Sequence, residues 1–317
     1  MLELVLAAVA LDLLLGDPRN FPHPVVMIGK AIELGERLIR QITKTNTGLK
    51  IGGTFLVATI VCSTYFAAYA IILAAQNIHP YFGIAVQVWL LYTTISIKSL
   101  HQHAIAVAVP LQKGDMAEAR KKLSFIVGRD TDKLDESEVT RGVVETVAEN
   151  TVDGIISPLF YAFIGGAPLA LAYKAVNTLD SMVGYREERY LHLGWAAARF
   201  DDVANFLPAR LAGIFFVLAA VFTPQGPKKA WKVVLRDAKR HPSPNGGIPE
   251  AAVAGGLGIK LGGTNYYFGK PSHRAEIGDK IVSLEVSHIK KVLQLMYLVT
   301  FLMLVTGAVV TRVALVL

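Results

Sequence analysis

The sequence predicts an all-α, polytopic integral membrane protein with broken or re-entrant helices and cytoplasmic helical loops. Three observations carry that prediction. Apolar residues make up 53% of the 317-residue chain, above the roughly 45–50% of soluble chains, and the mean hydropathy is +0.43. Residues 51–78, 81–97 and 292–311 contain no Asp, Glu, Lys or Arg, and about 20 such residues in a helix cross the ~30 Å hydrocarbon core of a bilayer. Two more apolar blocks are interrupted, 154–173 by Pro158, Gly165, Gly166 and Pro168, and 204–222 by Pro208 and Arg210. Such breaks are tolerated at membrane depth where the backbone faces protein or a water-filled cavity, so these two blocks read as partial, re-entrant or cavity-lining helices.

Taken in order, the opening "MLELVLAAVALDLLLGDP" lacks a basic n-region and a small-residue cleavage site, and Asp12 interrupts its apolar run; it reads as a retained helix rather than a signal peptide. Asp17 and His23 follow in the Pro-rich "GDPRNFPHP", where a structural turn is the expected role. Segments 16–50, 98–153 and 224–291 carry most of the Lys and Arg, whereas "NIHP" at 77–80 carries none, which places the three basic loops inside. Blocks 154–173 and 204–222 then both cross or neither does. The 98–153 segment has room for two or three helices, and "GDMAEARKKLSFIVGRD" offers a start at Asp115 and a stop at Gly128. "PQGPKKAWKVVLRDAKRHPSPNGG" at 224–247 predicts a basic amphipathic helix that ends at Arg240 and suits a surface of anionic headgroups. The chain reads as one membrane-embedded domain, 1–317, with 98–153 and 224–291 as cytoplasmic loop regions within it.

Several function classes are disfavoured. The single cysteine, Cys62, lies inside an apolar block, so neither a disulfide framework nor a cysteine metal site is expected. The net charge of +7 resides in loops between apolar blocks rather than in a basic patch interleaved with aromatics, so nucleic acid is not an expected partner. "GTNYYFGKP" from Gly263 has five residues between its glycines, and Pro271 stands where a phosphate loop needs Ser or Thr. "GGLGIKLGG" at 255–263 lacks dinucleotide-fold spacing and reads instead as a site of close helix packing. The histidines of "HQH" at 101–103 point to different helix faces and do not suit a shared metal.

Polar clusters at the ends of apolar blocks remain. Glu145, Glu149 and Asp153 recur every four residues with Asn150 between them, which puts carboxylates on one helix face; a metal ion, a basic partner or a substrate amine would offset their repulsion. In "YKAVNTLDSMVGYR", Lys174, Asn177, Asp180, Ser181 and Gly184 form one polar stripe, expensive beside lipid unless it lines a site. Asp201, Asp202 and Asn205 precede an apolar helix that contains Arg210. Carboxylate pairs of this kind suit Mg²⁺ that also holds phosphates, and an arginine in an apolar run pairs with a carboxylate or a phosphate. Arg236, Arg240, His241, Ser243 and Asn245 could grip phosphate or form an ordinary interfacial loop.

"LDLLLGDPRNFPHPVVMIGK", "GRD" at 128–130, "ETVAENTVDGIISPLFYAFIGGAPLALAYKAVNTLDSMVGY", "RFDDVANFLPARL" and "NGGIPEAAVAGGLGIKLGG", in that order, resemble the signature blocks of the CbiB/CobD family of cobalamin biosynthesis, adenosylcobinamide-phosphate synthases. The resemblance spans essentially the whole chain. It implies a multi-pass enzyme of the cell membrane that ligates adenosylcobyric acid, a corrinoid, to (R)-1-amino-2-propanol O-phosphate or to aminopropanol at the expense of ATP, with Mg²⁺. With that chemistry, Lys174, Asp180 and Glu149 are the expected catalytic residues. Asn150, Asn177, Arg186, Arg210, Arg240 and Asn245 are expected to bind substrate, and Glu145, Asp153, Asp201 and Asp202 to bind metal. A second copy of the chain or later membrane-bound enzymes of the pathway are the expected protein partners. Two other classes accommodate the same clusters: a Mg²⁺-dependent intramembrane prenyl or phospho-alcohol transferase, and a transporter of an anionic solute built on the broken helices.

Overall fold

The computed structural model describes residues 1–17, 23–185 and 187–316. These residues form two compact units: Met1–Ser96, Asp153–Asn205 and Leu304–Leu317 make the first, and Ile97–Val152 and Phe206–Met303 the second. The two segments expected as loop regions, 98–153 and 224–291, fall almost wholly within the second unit.

In the first unit, α1 (Leu2–Leu15) packs on α4 (Pro80–Tyr92) and α8 (Ser157–Val183). α2 (Pro24–Ile42) begins with proline at its first turn and is capped by His23, whose Nδ1 accepts the Val25 N–H at 3.3 Å. Asp17 lies 3.3 Å from the His23 Nε2; the rest of the Pro-rich segment expected as a turn, 18–22, lies outside the described residues. α3 (Asn46–Ile78) has 33 residues, about 50 Å at 1.5 Å per residue. Only 28% of its most apolar window is buried inside the protein, and Phe55 and Phe66 are exposed, a surface suited to hydrocarbon rather than water. Its covered side joins the core: Leu56, Val57 and Ile60 meet Ile28 and Ile32 of α2, Ala175 and Leu179 of α8, and Ala196 and Ala197 of α9 (Trp195–Ala204). α8 is broken as expected, since Gly165 and Gly166 leave the helical region and Gly166 has φ 67°, a conformation glycine adopts without a Cβ penalty.

In the second unit, α5 (Ile97–Gln112), α6 (Met116–Leu123) and α7 (Glu136–Thr151) pack together. Asp115 caps α6 by accepting the Glu118 N–H at 3.0 Å. The helix ends at Leu123 rather than at Gly128, because Ser124 turns its hydroxyl back to the Lys121 carbonyl and the chain leaves the helical path. Asp135 and Glu138 form a reciprocal capping box that starts α7. α10 (Phe206–Ala219), α11 (Gly226–Asp237), a 3₁₀ turn at Ala238–Arg240 and α12 (Gly247–Leu257) form the remaining helical layer. The basic helix α11 covers protein as well as facing outward: Ala230 and Val233 are buried, and a methyl on Gly255 of α12 would come 2.8 Å from the Ala230 Cα, so Gly255 provides the close helix approach expected of this glycine-rich run. Gly262 and Gly263 do otherwise. They open β1 (Leu261–Tyr267), which pairs antiparallel with β2 (Lys270–Ile277). The rejected phosphate loop is this hairpin, whose two-residue turn, Phe268 (φ 52°) and Gly269 (φ 75°), has the twist that suits right-handed strands. α13 (Ser287–Val316) closes the chain.

Among the described residues, four helical stretches are long and apolar enough to cross a membrane: Asn46–Ile78 (α3), Pro80–Gln112 (α4 and α5), Glu136–Val183 (α7 and α8) and Ser287–Val313 of α13. α9 and α10, bent by 47° at Asn205, make a fifth if counted as one broken span. The protein is a polytopic, helical membrane protein with broken helices, and the small hairpin does not alter that class.

Gly53 offers a direct test of the packing in the first unit. Any Cβ there would collide with the Leu193 carbonyl oxygen, and backbone cannot swing aside as a flexible side chain can. Gly53→Ala is expected to destabilise the protein by about 1–3 kcal/mol in thermal unfolding in detergent. An unchanged melt would contradict this packing.

Candidate functional sites

The first unit gathers a polar cluster where α8 and α9 present the stripe and the acidic pair. Lys174 Nζ donates to Asn177 Oδ1 at 3.5 Å, and Asn177 Nδ2 donates to Asp153 Oδ2 at 3.4 Å. The carboxylates whose charges act on Lys174 are Asp153 first, then Asp17 and Asp201. Asp201 in turn feels Asp180 and Asp202 and accepts from Asn205 Nδ2 at 3.0 Å. Asn205, 1% exposed, is locked from its other end, because its Oδ1 accepts Ser157 Oγ at 2.6 Å and the Tyr173 hydroxyl at 2.9 Å. Tyr161 stacks on Tyr173 with ring centroids 5.2 Å apart. Asp153, Lys174, Asn177, Asp180, Asp201 and Asp202, named separately from sequence, therefore share one neighbourhood. Asp201 Oδ1 is buried with no hydrogen-bond partner among the described residues. Carboxylates this close repel in a medium less polar than water, and Lys174 only partly offsets them.

The second unit answers the question posed by the carboxylate row. Glu145 on α7 is met by a basic partner from the protein itself: its Oε2 accepts Arg129 Nη1 at 2.9 Å, and Arg141 Nη1 is 3.7 Å from Oε1. Oε1 also accepts the Gly262 N–H at 2.8 Å. Gly262 (φ 78°) and Gly263 (φ 91°) make this possible, since the bulge between Leu261 and Gly263 turns that N–H out of the strand ladder. Asn265 Oδ1, three residues beyond Gly262 on the same strand, accepts Arg129 Nη1 at 2.6 Å and Arg141 Nη2 at 3.1 Å. The four-residue series ends beyond Glu149, because Asp153 falls in the π-helical turn Val152–Ile156, where the helical repeat lengthens.

Beside this knot lies a polar cavity of about 140 Å³, whose wall includes Arg129, Glu145, Glu149, Asn150, Glu250 and Arg274. Glu250 is 2% exposed, and its Oε1 is 3.6 Å from His241 Nε2. Burial, together with the neighbouring Glu145 and Glu149, pushes the Glu250 carboxyl well above its usual range, and burial and Arg274 hold the His241 ring below its own. Arg129 Nε and Nη2, Glu250 Oε1 and His241 Nε2 are all buried without hydrogen-bond partners among the described residues. Arg129 was visible beforehand only as part of "GRD", and Arg141, Glu250, Asn265 and Arg274 had no assigned role. Arg141 was the one with a local signal, since it precedes Glu145 by four residues.

The remaining expected residues separate. Arg210 Nη1 donates to Asn245 Oδ1 at 2.9 Å and to the Phe206 carbonyl at 2.8 Å, so these two substrate-binding candidates form a single pair. Arg240 belongs to a structural network: with Arg236 and the Gly278 N–H it serves Asp237, whose side chain is fully buried. Arg186 lies outside the described residues. Of the four expected metal ligands, Asp153, Asp201 and Asp202 lie in the first unit. Glu145 belongs to the second unit and is occupied by two arginines and a backbone N–H, and among the described residues no cluster of three or more His, Cys, Asp or Glu is arranged to hold a metal.

Removing the Glu145 carboxylate leaves Arg129 and Arg141 buried and uncompensated. Glu145→Ala is expected to cost about 3–5 kcal/mol in unfolding, whereas Lys122→Ala, in an exposed pair with Glu118, should cost at most about 0.5 kcal/mol; equal small effects would contradict the assignment. A second test uses pH. Burial works to raise the Asp237 carboxyl, but hydrogen bonds from Arg236 and the Gly278 N–H hold it below its usual range. A depressed value contributes stability above about pH 4 that is lost as pH falls through the folded-state value. Asp237→Asn should therefore lower stability at neutral pH and flatten this part of the acid-unfolding curve, and an unchanged curve would rule the network out.

Comparison with known proteins places the chain. The model of the CobD/Cbib protein family matches residues 5–296. A cobalamin biosynthesis protein CobD of Geobacter metallireducens is 52% identical over 98% of this chain and 96% of its own length. A cobalamin biosynthesis protein CobD of Klebsiella pneumoniae subsp. pneumoniae is 49% identical, and a cobalamin biosynthesis protein CbiB of Salmonella paratyphi B is 48% identical, each over 93% of this chain and 92% of its own length. No solved structure matches. With the family model covering most of the chain and relatives near half identical over nearly all of it, this protein belongs to the CobD/CbiB family.

Proposed function

We propose that this protein acts in cobalamin biosynthesis, in the cell membrane, as the enzyme that joins a free propionate of adenosylcobyric acid to (R)-1-amino-2-propanol O-phosphate, giving adenosylcobinamide phosphate, or to aminopropanol, giving adenosylcobinamide. The pathway is supported by the names its relatives carry, and the reaction by the resemblance of its sequence blocks. The observation that carries the reading is the convergence of Lys174, Asp153, Asn177 and Asp201 at the end of an otherwise apolar helix. Charged groups placed there cost stability unless they serve a site.

A carboxylate does not react with an amine until its oxygen becomes a leaving group. Transfer of the terminal phosphoryl of ATP to the propionate oxygen gives an acyl phosphate and ADP. The amine, having lost a proton, attacks the acyl carbon; the bond to phosphate breaks, and the nitrogen sheds its second proton to leave the amide. Lys174 is suited to the negative charge that grows on phosphate oxygens, with Asn177 fixing its direction. Asp180 is the carboxylate we assign to proton removal; Glu149, the other catalytic carboxylate expected from sequence, lines the cavity of the second unit.

Asp201 fits Mg²⁺, because its Oδ1 is buried and unpartnered and a hard divalent ion that keeps several waters needs only one or two carboxylates beside phosphate oxygens. Asp201 and its neighbour Asp202 would hold the ion, which when bound would neutralise phosphate charge; Asp153, bonded to Asn177, and Glu145, engaged by arginines, do not complete a larger ligand set with them.

Purified protein incubated with adenosylcobyric acid, aminopropanol O-phosphate and MgATP should yield a corrinoid with one carboxylate fewer. Lys174→Ala and Asp180→Asn should each lower that yield by about 100-fold or more while inserting normally into membranes. Near-full activity in both variants would sink the assignment of the site, and unchanged corrinoid with wild-type protein would sink the reaction.

A further inference from the structure

We propose that α11 lies in the headgroup layer of a bilayer leaflet, where Lys228, Lys232 and Lys239 hold anionic phospholipid and Trp231 and Leu235 dip into the acyl boundary. The distribution of charge singles out these lysines. Six basic residues stand between 228 and 240, and three of them are taken up inside the protein. Lys229 Nζ lies 2.6 Å from Asp279 Oδ2, Arg236 bridges Asp237 and Asp279 at 2.6 and 2.9 Å, and Arg240 Nη1 is 3.2 Å from Asp237 Oδ1. Lys228, Lys232 and Lys239 are exposed and have no ion-pair partner among the described residues. Lys228 and Lys232 are about one turn apart, and Lys239 follows about two turns later, so three like charges stand along one edge. Such charges repel one another; an anionic surface turns the same row into an attraction.

The apolar part of this surface says what kind of anion carrier it meets. Ala230, Val233 and Asp237 form the covered face of α11. Trp231 and Leu235 lie away from it, beside the lysine edge, 45% and 63% exposed. They are not isolated. The 3₁₀ turn Ala220–Phe222, which packs on α11, exposes Val221 and Phe222. α10 leads into that turn with Leu207, Ile214 and Leu218 exposed at intervals of seven and four, one stripe of a helix. Since α10 belongs to the fifth candidate span, the apolar patch around α11 continues a face suited to hydrocarbon.

Water would leave this patch unmet, and hydrocarbon would leave the ammonium groups unmet. The boundary between the two satisfies both, because lysine stems lie along apolar surface while their heads reach phosphate, and tryptophan settles at headgroup depth. A helix with basic residues beside Trp and Leu lies in that plane. The ion pairs behind α11, with the Gly278 N–H donating to Asp237 Oδ2 at 2.9 Å, hold the helix so that it presents this face.

Tryptophan fluorescence of the full-length protein in nanodiscs of phosphatidylcholine and phosphatidylglycerol tests the assignment. The chain has three tryptophans, and Trp89→Phe with Trp195→Phe leaves Trp231 as the reporter. The difference between wild type and Trp231→Phe gives the same readout if that pair of changes disturbs folding. Bromines carried on phosphatidylglycerol should quench Trp231 at least about twofold more than the same amount carried on phosphatidylcholine. Lys228→Gln, Lys232→Gln and Lys239→Gln combined should remove that preference, whereas arginine at all three positions should keep it. Salt at about 1 M should weaken it. The proposal is overturned if neither lipid quenches Trp231, the result expected of a surface covered by water or by another protein. It is equally overturned if the two lipids quench wild type alike, or if the triple glutamine variant keeps the preference.

Discussion

Glu145 is a carboxylate with 9% of its side chain exposed, and everything around it in the second unit is arranged so that its charge is met. Two guanidiniums, from Arg129 and Arg141, and the N–H of Gly262 converge on it. Burying a charge without such partners is prohibitive, so the loop carrying Arg129, the helix carrying Arg141 and the bulge at Gly262 are tied to one position. The hairpin follows from that tie: its first strand supplies the Gly262 N–H, the Gly262 and Thr264 carbonyls and the Asn265 amide to the same knot. Asp130 secures its far end by accepting from the Phe268 and Gly269 N–H groups. The cavity exists because these elements meet around charges and not around apolar side chains.

The first unit solves a related problem with an excess of acid. Lys174 stands among Asp153, Asp17 and Asp201; Asn177 links it to Asp153, and Asn205 links Ser157 and Tyr173 to Asp201. Asn205 holds a position no charged residue could, since it accepts from Ser157 and Tyr173 while donating to Asp201. Each asparagine donates with one atom and accepts with the other, which lets a crowded acidic cluster keep its geometry inside an apolar helical layer. Asp201 Oδ1 is the buried oxygen of this network without a hydrogen-bond partner among the described residues.

Much of the fold was legible because the membrane imposes long apolar helices, and α3 and α13 follow from their uncharged runs. The caps were legible too: Asp115 and the proline-bounded basic helix at 226–240 appear where local chemistry put them. Gly165 and Gly166 marked the break in α8. The hairpin was not legible, since Phe268-Gly269 is not one of the strong turn dipeptides and its strands are pinned by arginines from α7 and the loop before it. For the same reason the candidate sites were only half visible. Lys174, Asn177 and Asp180 declare themselves by helical spacing, but Arg129 reaches Asn265 across 136 residues, and Glu250 lies on a helix whose composition is otherwise small and apolar. Spacing of four put Glu145 and Glu149 on one helix face; that Arg141, four residues before Glu145, is joined there by Arg129 and by the Gly262 N–H depends on contacts from outside the helix.

The central claim is that the Arg129–Glu145 interaction organises the second unit as a coupled pair. A double-mutant cycle with Arg129→Met and Glu145→Leu, followed by equilibrium unfolding in detergent, measures that coupling. The account predicts that the double variant costs less than the sum of the singles, with an interaction energy of at least about 2 kcal/mol, because replacing both partners removes the buried Arg129 charge that Glu145→Leu alone strands, while Arg141 loses its partner in either case. Additive losses, with the double variant as destabilised as the sum of the singles, would contradict it.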